Sequence, residues 1–281
     1  MFNMLRMDLY RMFRTRSMYI IWMVIVVALL FTTFLCKSDI EMADSTETAQ
    51  TEQITEPTVD DLNVGMSVEL PTKPGEKVSV CDIFFANSQG KFYALFLVIF
   101  AVIFSTDDIG NGYIKNIGGQ VKKRGRLVFS RAAALGVFTI ITMVMVLLLQ
   151  IVINEIVFGY VKFGNAKEML PYFLTEIVLH YALVLVCMAI AIVFRNNVVS
   201  IVAGVCLTMN IMNIVYGVID NAIAKAGIHN FEIYDYTITG KLSLLSMNPG
   251  TVECAKALGV ALVFIVAVTV MGSVIFQKRD I

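Results

Sequence analysis

Six stretches of this chain are long and apolar enough to cross a lipid bilayer, and that constraint leaves few other folds open. A helix rises about 1.5 Å per residue and the hydrocarbon core is about 30 Å thick, so one crossing needs about 20 mostly apolar residues. The stretches are Met18 to Cys36, Gly90 to Thr106, Ala132 to Val157, Met169 to Phe194, Val198 to Ile219 and Cys254 to Phe276. The second is the shortest, and its outer end extends past Lys91, whose long stem can snorkel to the interface. Hydrophobic residues make up 58% of the chain and charged ones 16%, whereas soluble domains average about 45–50% and about 25%. The expected fold is an all-α integral membrane protein: an interfacial helix at residues 1–17, then a six-span transmembrane domain at 18–281 with a long first extracellular loop at 37–89. The first span is expected to stay in place, because Met18 to Cys36 is too long for a signal-peptide core and no small-x-small cleavage site follows it.

Six spans put both termini on one side, and the loop charges choose it. The N-terminal segment, the loop Asp107–Arg131, the turn Arg195–Asn197 and the tail from Gln277 hold 13 Lys and Arg against 4 Asp and Glu, leaving 9 against 18 elsewhere. Positive charge concentrates on the cytoplasmic side of membrane proteins, so a multi-pass cell-membrane protein with both termini in the cytoplasm is expected. The segment before the first span alternates Phe2, Leu5, Leu9, Met12 and Phe13 with Arg6, Arg11, Arg14 and Arg16. It reads either as an amphipathic helix along the inner leaflet or as a basic stop that fixes topology.

The outer loop divides in two. Its first part, EMADSTETAQTEQITEPTVDD, is acidic and has little to bury, so it is expected to stay solvated. Attraction of a cationic substrate is the competing reading of its charge. The second part, LNVGMSVELPTKPGEKVSVCD, alternates weakly between apolar and polar residues and suggests a short hairpin. Cys36, Cys81 and Cys254 fall outside the membrane in this topology, which leaves one disulfide among them open.

The stretch STDDIGNGYIKNIGGQVKKRGRLVFSR, Ser105 to Arg131, carries the most specific pattern. A helix ends near Asp107 and Asp108, turns at Asn111-Gly112, resumes at Tyr113, and re-enters the membrane after a basic cluster. Gly112 tolerates positive φ there and Asn111 can cap the following turn. This stretch resembles the loop between the second and third spans of type 2 ABC permeases, where an acidic residue, an Asn-Gly turn, an Ile-Lys-Asn-like sequence and a basic residue recur. The layout of the rest of the chain is similar too. Lys122-Lys123-Arg124-Gly125 departs from the family pattern, in which Pro or Ser often precedes an arginine. The resemblance implies that Asn111, Gly112, Tyr113, Ile114, Lys115 and Asn116 couple to a separate ATPase, in the coupling loop 107–131. It also implies that segment 220–251 forms short re-entrant or interfacial helices on the outer side. Without the resemblance, the loop is a basic turn obeying the charge rule.

No phosphate-binding loop accompanies these features, since Gly240-Lys241 is followed by Leu242. ATP and magnesium are therefore expected in partner ABC ATPase subunits, with no cofactor in this chain. There is no His-Glu-x-x-His pattern and no His/Cys cluster at metal spacing, so neither enzyme activity nor a metal site is expected. Within the fourth span Glu176 and His180 lie one helical turn apart, and Asn210 and Asn213 occupy the fifth. Ionisable groups at membrane depth are costly. All four either line a substrate path or serve as hydrogen-bonding glue between helices, while Gly204 and Gly217 suit close helix approach.

The functional expectation is a permease subunit, paired with a second identical or homologous permease chain in the bilayer and with no nucleic-acid partner. Its cargo would be a peptide, an antimicrobial or a lipid-like compound for export. The alternative is an ATP-independent membrane sensor or immunity protein that binds a ligand at its outer loop.

Overall fold

The computed structural model describes residues 2–47, 70–72, 76–110, 125–225 and 231–278. Among them helices joined by short loops are the only regular structure, without strands. The helices are α1 (Phe2–Arg14), α2 (Arg16–Glu47), α3 (Val80–Gln89), α4 (Phe92–Gly110), α5 (Gly125–Phe158), α6 (Ala166–Phe194), α7 (Asn197–Thr208), α8 (Met212–Lys225), a 3-10 turn (Ile233–Tyr236), α9 (Ile238–Leu244) and α10 (Thr251–Lys278).

Four of these, α2, α5, α6 and α10, are long and apolar enough to span a membrane. Two further pairs pass the same test but are bent, α3 with α4 by 56° and α7 with α8 by 65°. The chain therefore has four spans, or up to six if each bent pair counts as one, and is a multi-pass membrane protein by the length and composition of its helices.

The apolar surface explains why. Ile140, Val144, Leu148 and Val152 on α5 and Leu262, Val263, Val266 and Val270 on α10 are exposed. At helical spacing these are continuous apolar stripes, which water disfavours and lipid accepts. The central helix is α6, with 56% of its most apolar window buried against 22% for α10. It packs on α4, α5, α7 and α10. Between α2 and α5, Trp22 Nε1 donates to Thr142 Oγ1 at 3.0 Å, and Gln150 Nε2 donates to Thr33 Oγ1 at 3.1 Å. Phe138 of α5 stacks on Phe100 of α4 with centroids 4.0 Å apart.

The N-terminal helix α1 is docked on the bundle. Ser130 of α5 hydrogen-bonds the buried Asp8, Met12 is fully buried, and the Arg11 guanidinium lies 4.6 Å from the Phe104 ring of α4. At the same end Arg131 Nη1 donates to the Ser105 carbonyl at 3.2 Å. The foot of α4 and the start of α5 are thus tied to each other and to α1.

The opposite end departs from expectation. The helix α2 continues to Glu47 instead of ending at Cys36, and Val80–Gln89 is helical where a hairpin was expected through residue 82. A capping box decides it: Asp82 N donates to Ser79 Oγ at 3.1 Å while Ser79 N donates to Asp82 Oδ2 at 2.8 Å. Two orphan donors are satisfied reciprocally, which starts the helix at Val80; residues 62–69 and 73–75 of the expected hairpin lie outside the described residues. The loop between α5 and α6 serves two more, accepting from Val80 N at Lys162 O (2.8 Å) and from Cys81 N at Phe163 O (3.2 Å). All five cysteines are free.

The turn at Arg195 lies where the sequence places it. Arg195 adopts φ +53° to close α6, and Asn196 caps α7 by accepting from Val198 N at 2.9 Å and Val199 N at 3.2 Å. Gly204 does bring helices close, because a Cβ there would run into Val98 of α4. Gly217 does not, having nothing within 4 Å. Replacing Gly204 by leucine is expected to cost about 2 kcal/mol through overpacking. Gly217→Ala is expected to be neutral or to gain up to about 1 kcal/mol, since the helix loses a poor former. Thermal unfolding in detergent separates the two, and equal melting temperatures would contradict the packing described.

Candidate functional site

Both bent spans break at a residue with a left-handed backbone, and the two residues touch. Lys91 has φ +60° and Asn210 φ +57°. Asparagine visits this region more readily than most residues, whereas lysine does so rarely and needs surrounding contacts to hold it there. Those contacts are present. Gly90 N donates to Ala86 O at 3.0 Å and Lys91 N to Ser88 O at 2.9 Å, closing α3, and Gln89 Nε2 donates to the Ser243 carbonyl of α9 at 3.0 Å.

Contrary to expectation, Lys91 does not snorkel. Its side chain is 0% exposed, its ammonium hydrogen-bonds Asn210 Oδ1, and Nζ lies 5.7 Å from the Tyr234 ring centroid. A buried amine costs several kcal/mol unless acceptors replace its water; one amide oxygen and a nearby aromatic face offset part of that cost here. The fifth span, expected to run unbroken from Val198 to Ile219, is interrupted for the same reason. Asn210 turns out of the helix to meet the lysine.

Around this elbow the 3-10 turn and α9 form a cover. Asp220 Oδ1 accepts from Ile233 N at 2.9 Å, and the Tyr234 hydroxyl sits with Asn213 and Ser243. Burial pushes the Tyr234 phenol above its ordinary value. Asn210 and Asn213 thus share one polar cluster.

Glu176 and His180 form a second cluster on α6, also fully enclosed. His180 Nδ1 lies 2.8 Å from the Glu176 backbone carbonyl and 3.1 Å from Glu176 Oε2. A carbonyl only accepts, so Nδ1 is assigned the proton in that contact. Tyr172, one turn earlier on the same face, has its hydroxyl toward Glu176, and the neighbouring polar side chains are Ser88 of α3, Asn87 of α3 and Tyr93 of α4. All are buried. The helix α3 therefore serves both clusters, Asn87 beside Tyr93, Ser88 beside Tyr172, and Gln89 on the cover.

The remaining site residues expected from sequence, Asn111, Gly112, Tyr113, Ile114, Lys115 and Asn116, lie outside the described residues. Sequence reasoning missed Lys91, Tyr93, Tyr172 and Tyr234. Lys91 carried a signal, since a lysine next to glycine inside an apolar run marks a break as well as an interface.

The contact between the two breaks has a direct test. Lys91→Met and Asn210→Ala, singly and together, are expected to give a coupling energy of about 1.5 kcal/mol, in the range for a hydrogen bond to a charged group. Additive effects on stability would show that the two breaks are independent.

A family model described as "Protein of unknown function (DUF2705)" matches residues 58–281, and the chain belongs to that family. No curated protein matches the chain. The matched residues include both helix breaks and the Glu176 cluster.

Proposed function

We propose that this DUF2705 chain is the membrane-embedded permease subunit of a type 2 ABC transporter, exporting a peptide, antimicrobial or lipid-like compound. Separate ATPase chains bind ATP and magnesium, and a second permease chain, identical or homologous, completes the pathway. Both termini and segment 111–116 face the cytoplasm.

One observation carries this reading: a single helix, α4, runs from the foot of that segment to the elbow where the two broken spans touch. Its 19 residues extend about 28 Å at 1.5 Å per residue, roughly the thickness of the hydrocarbon core. Interrupted spans are where transport proteins place sites that rearrange, because a broken helix has two ends that can move separately. In the proposed cycle the ATPase moves segment 111–116, and α4 passes the movement to Lys91. The contact with Asn210 then yields, and α7 and α8 reorient about their break. Docking of α1 on α4 and α5 keeps the lever rigid at its foot.

The test is purification of the tagged chain from its native membrane. The proposal expects a distinct ATP-hydrolysing chain in stoichiometric amount. A chain that purifies alone, with the same ligand response with or without ATP, would replace it by an ATP-independent sensor or immunity protein.

A further inference from the structure

A groove between the cover and α10 has the chemistry of an amphiphile site. It encloses about 460 Å³ and is lined by Asp235, Tyr236, Lys241, Lys256, Val263 and Phe264, among others. Along α10 the lining runs from Lys256 to Val263 and Phe264, and the apolar wall continues onto Leu262, Val266 and Val270, the exposed stripe of that helix. The volume falls in the range of small-molecule sites, about 300–1,000 Å³.

Depth follows from helix length. At 28 residues α10 is about 42 Å long, so it overhangs a 30 Å core by about 6 Å at each end. Lys256 lies five residues from the start of the helix, about 7.5 Å along it. That is about 1.5 Å inside the core boundary, from which the long lysine stem reaches the glycerol and phosphate level. The Tyr236 ring, 60% exposed and stacked 5.1 Å from Phe231, suits the same interfacial belt.

The charges favour an anion. Among the described residues neither Lys241 nor Lys256 has a carboxylate within 4 Å. Glu253, the nearest acid in sequence to Lys256, is engaged by Ser246 N at 2.9 Å and Ser246 Oγ at 2.8 Å. Two ammonium groups and one carboxylate leave a net charge of +1, which a singly charged phospholipid neutralises and a zwitterionic one does not.

We propose that this groove holds one anionic phospholipid as a resident ligand. Its phosphate sits between Lys241 and Lys256, headgroup hydroxyls donate to Asp235, and an acyl chain lies along Val263 and Phe264. The site shares the cover with the Lys91–Asn210 elbow, Tyr234 facing the lysine and Asp235 and Tyr236 the groove, and it does not depend on coupling to an ATPase.

Native mass spectrometry of the full chain in detergent, with phosphatidylglycerol, phosphatidylcholine or inorganic phosphate added, tests it. The expected result is one phosphatidylglycerol adduct, in strong preference to phosphatidylcholine, with no adduct from phosphate alone. Lys241→Ala with Lys256→Ala should lower that preference about thirtyfold, from the contribution of two lysines near an anionic surface. Lys241→Arg with Lys256→Arg should retain it. Val263→Trp keeps both charges but fills the apolar floor, so it should lose the adduct while helix content is unchanged. Equal binding of the two lipids, an undiminished preference in the alanine variant, or phosphate binding as well as the lipid would each overturn the proposal.

Discussion

Replacing Tyr113 and Ile114 with aspartate is expected to abolish transport while the amount of membrane-inserted protein stays the same. The two residues follow the Asn-Gly turn in the segment that resembles a coupling element, where an apolar surface would sit in a groove on the ATPase. Two carboxylates there would have to be desolvated at the contact, and an unpaired buried charge costs several kcal/mol. Binding weakens about tenfold for each 1.4 kcal/mol, so the complex should be lost outright. Insertion depends on the apolar spans and on the distribution of Lys and Arg, neither of which the change touches. Unchanged transport in the double variant would remove the basis for coupling at this segment.

The second large effect is expected at Glu176. Truncation to alanine removes a side chain that is fully enclosed and leaves the Tyr172 hydroxyl without the carboxylate that faces it, while His180 Nδ1 keeps the Glu176 backbone carbonyl. The cavity alone costs about 2 kcal/mol or more for a side chain of this size, and each unsatisfied polar group adds about 1 kcal/mol or more. Membrane proteins soften such losses, since polar contacts between their helices average about 0.6 kcal/mol. The expected destabilisation is therefore about 3 kcal/mol, with Glu176→Gln recovering more than half because it keeps the volume and an acceptor. Thermal unfolding in detergent measures both. A Glu176→Ala protein as stable as the parent would mean that the cluster does not hold α3, α4 and α6 together.

Much of the membrane architecture was legible because hydropathy is additive along a helix. The windows at Ala132–Val157, Met169–Phe194 and Cys254–Phe276 fall within α5, α6 and α10, and the expected turn at Arg195–Asn197 separates α6 from α7. The windows failed where a contact between distant segments decides the local structure. Averaging over Gly90–Thr106 hides a break at Lys91, and averaging over Val198–Ile219 hides one at Asn210. Each break exists because the other supplies its partner. A lysine in an apolar run either snorkels outward or pairs inward, and only the presence of Asn210, 119 residues away, chooses. The helix α3 is different: its Ser-x-x-Asp capping signal stood in the sequence at Ser79 and Asp82, and a weak alternation of apolar residues drew attention from it. Glu176 and His180 were legible as a pair on one face, but the tyrosines that enclose them read as ordinary apolar positions.

Segment 111–116 is proposed to meet an ATPase in the cytoplasm, and one cross-linking measurement addresses that contact directly. Lys115→Cys is introduced with Cys206→Ser and Cys254→Ser, which removes the two cysteines that are not buried. A membrane-impermeant thiol cross-linker is then applied to intact cells and to inside-out vesicles. The account predicts an adduct between this chain and one ATP-binding chain in inside-out vesicles and none in intact cells. An adduct formed from outside intact cells, or no ATP-binding partner in either preparation, would contradict it.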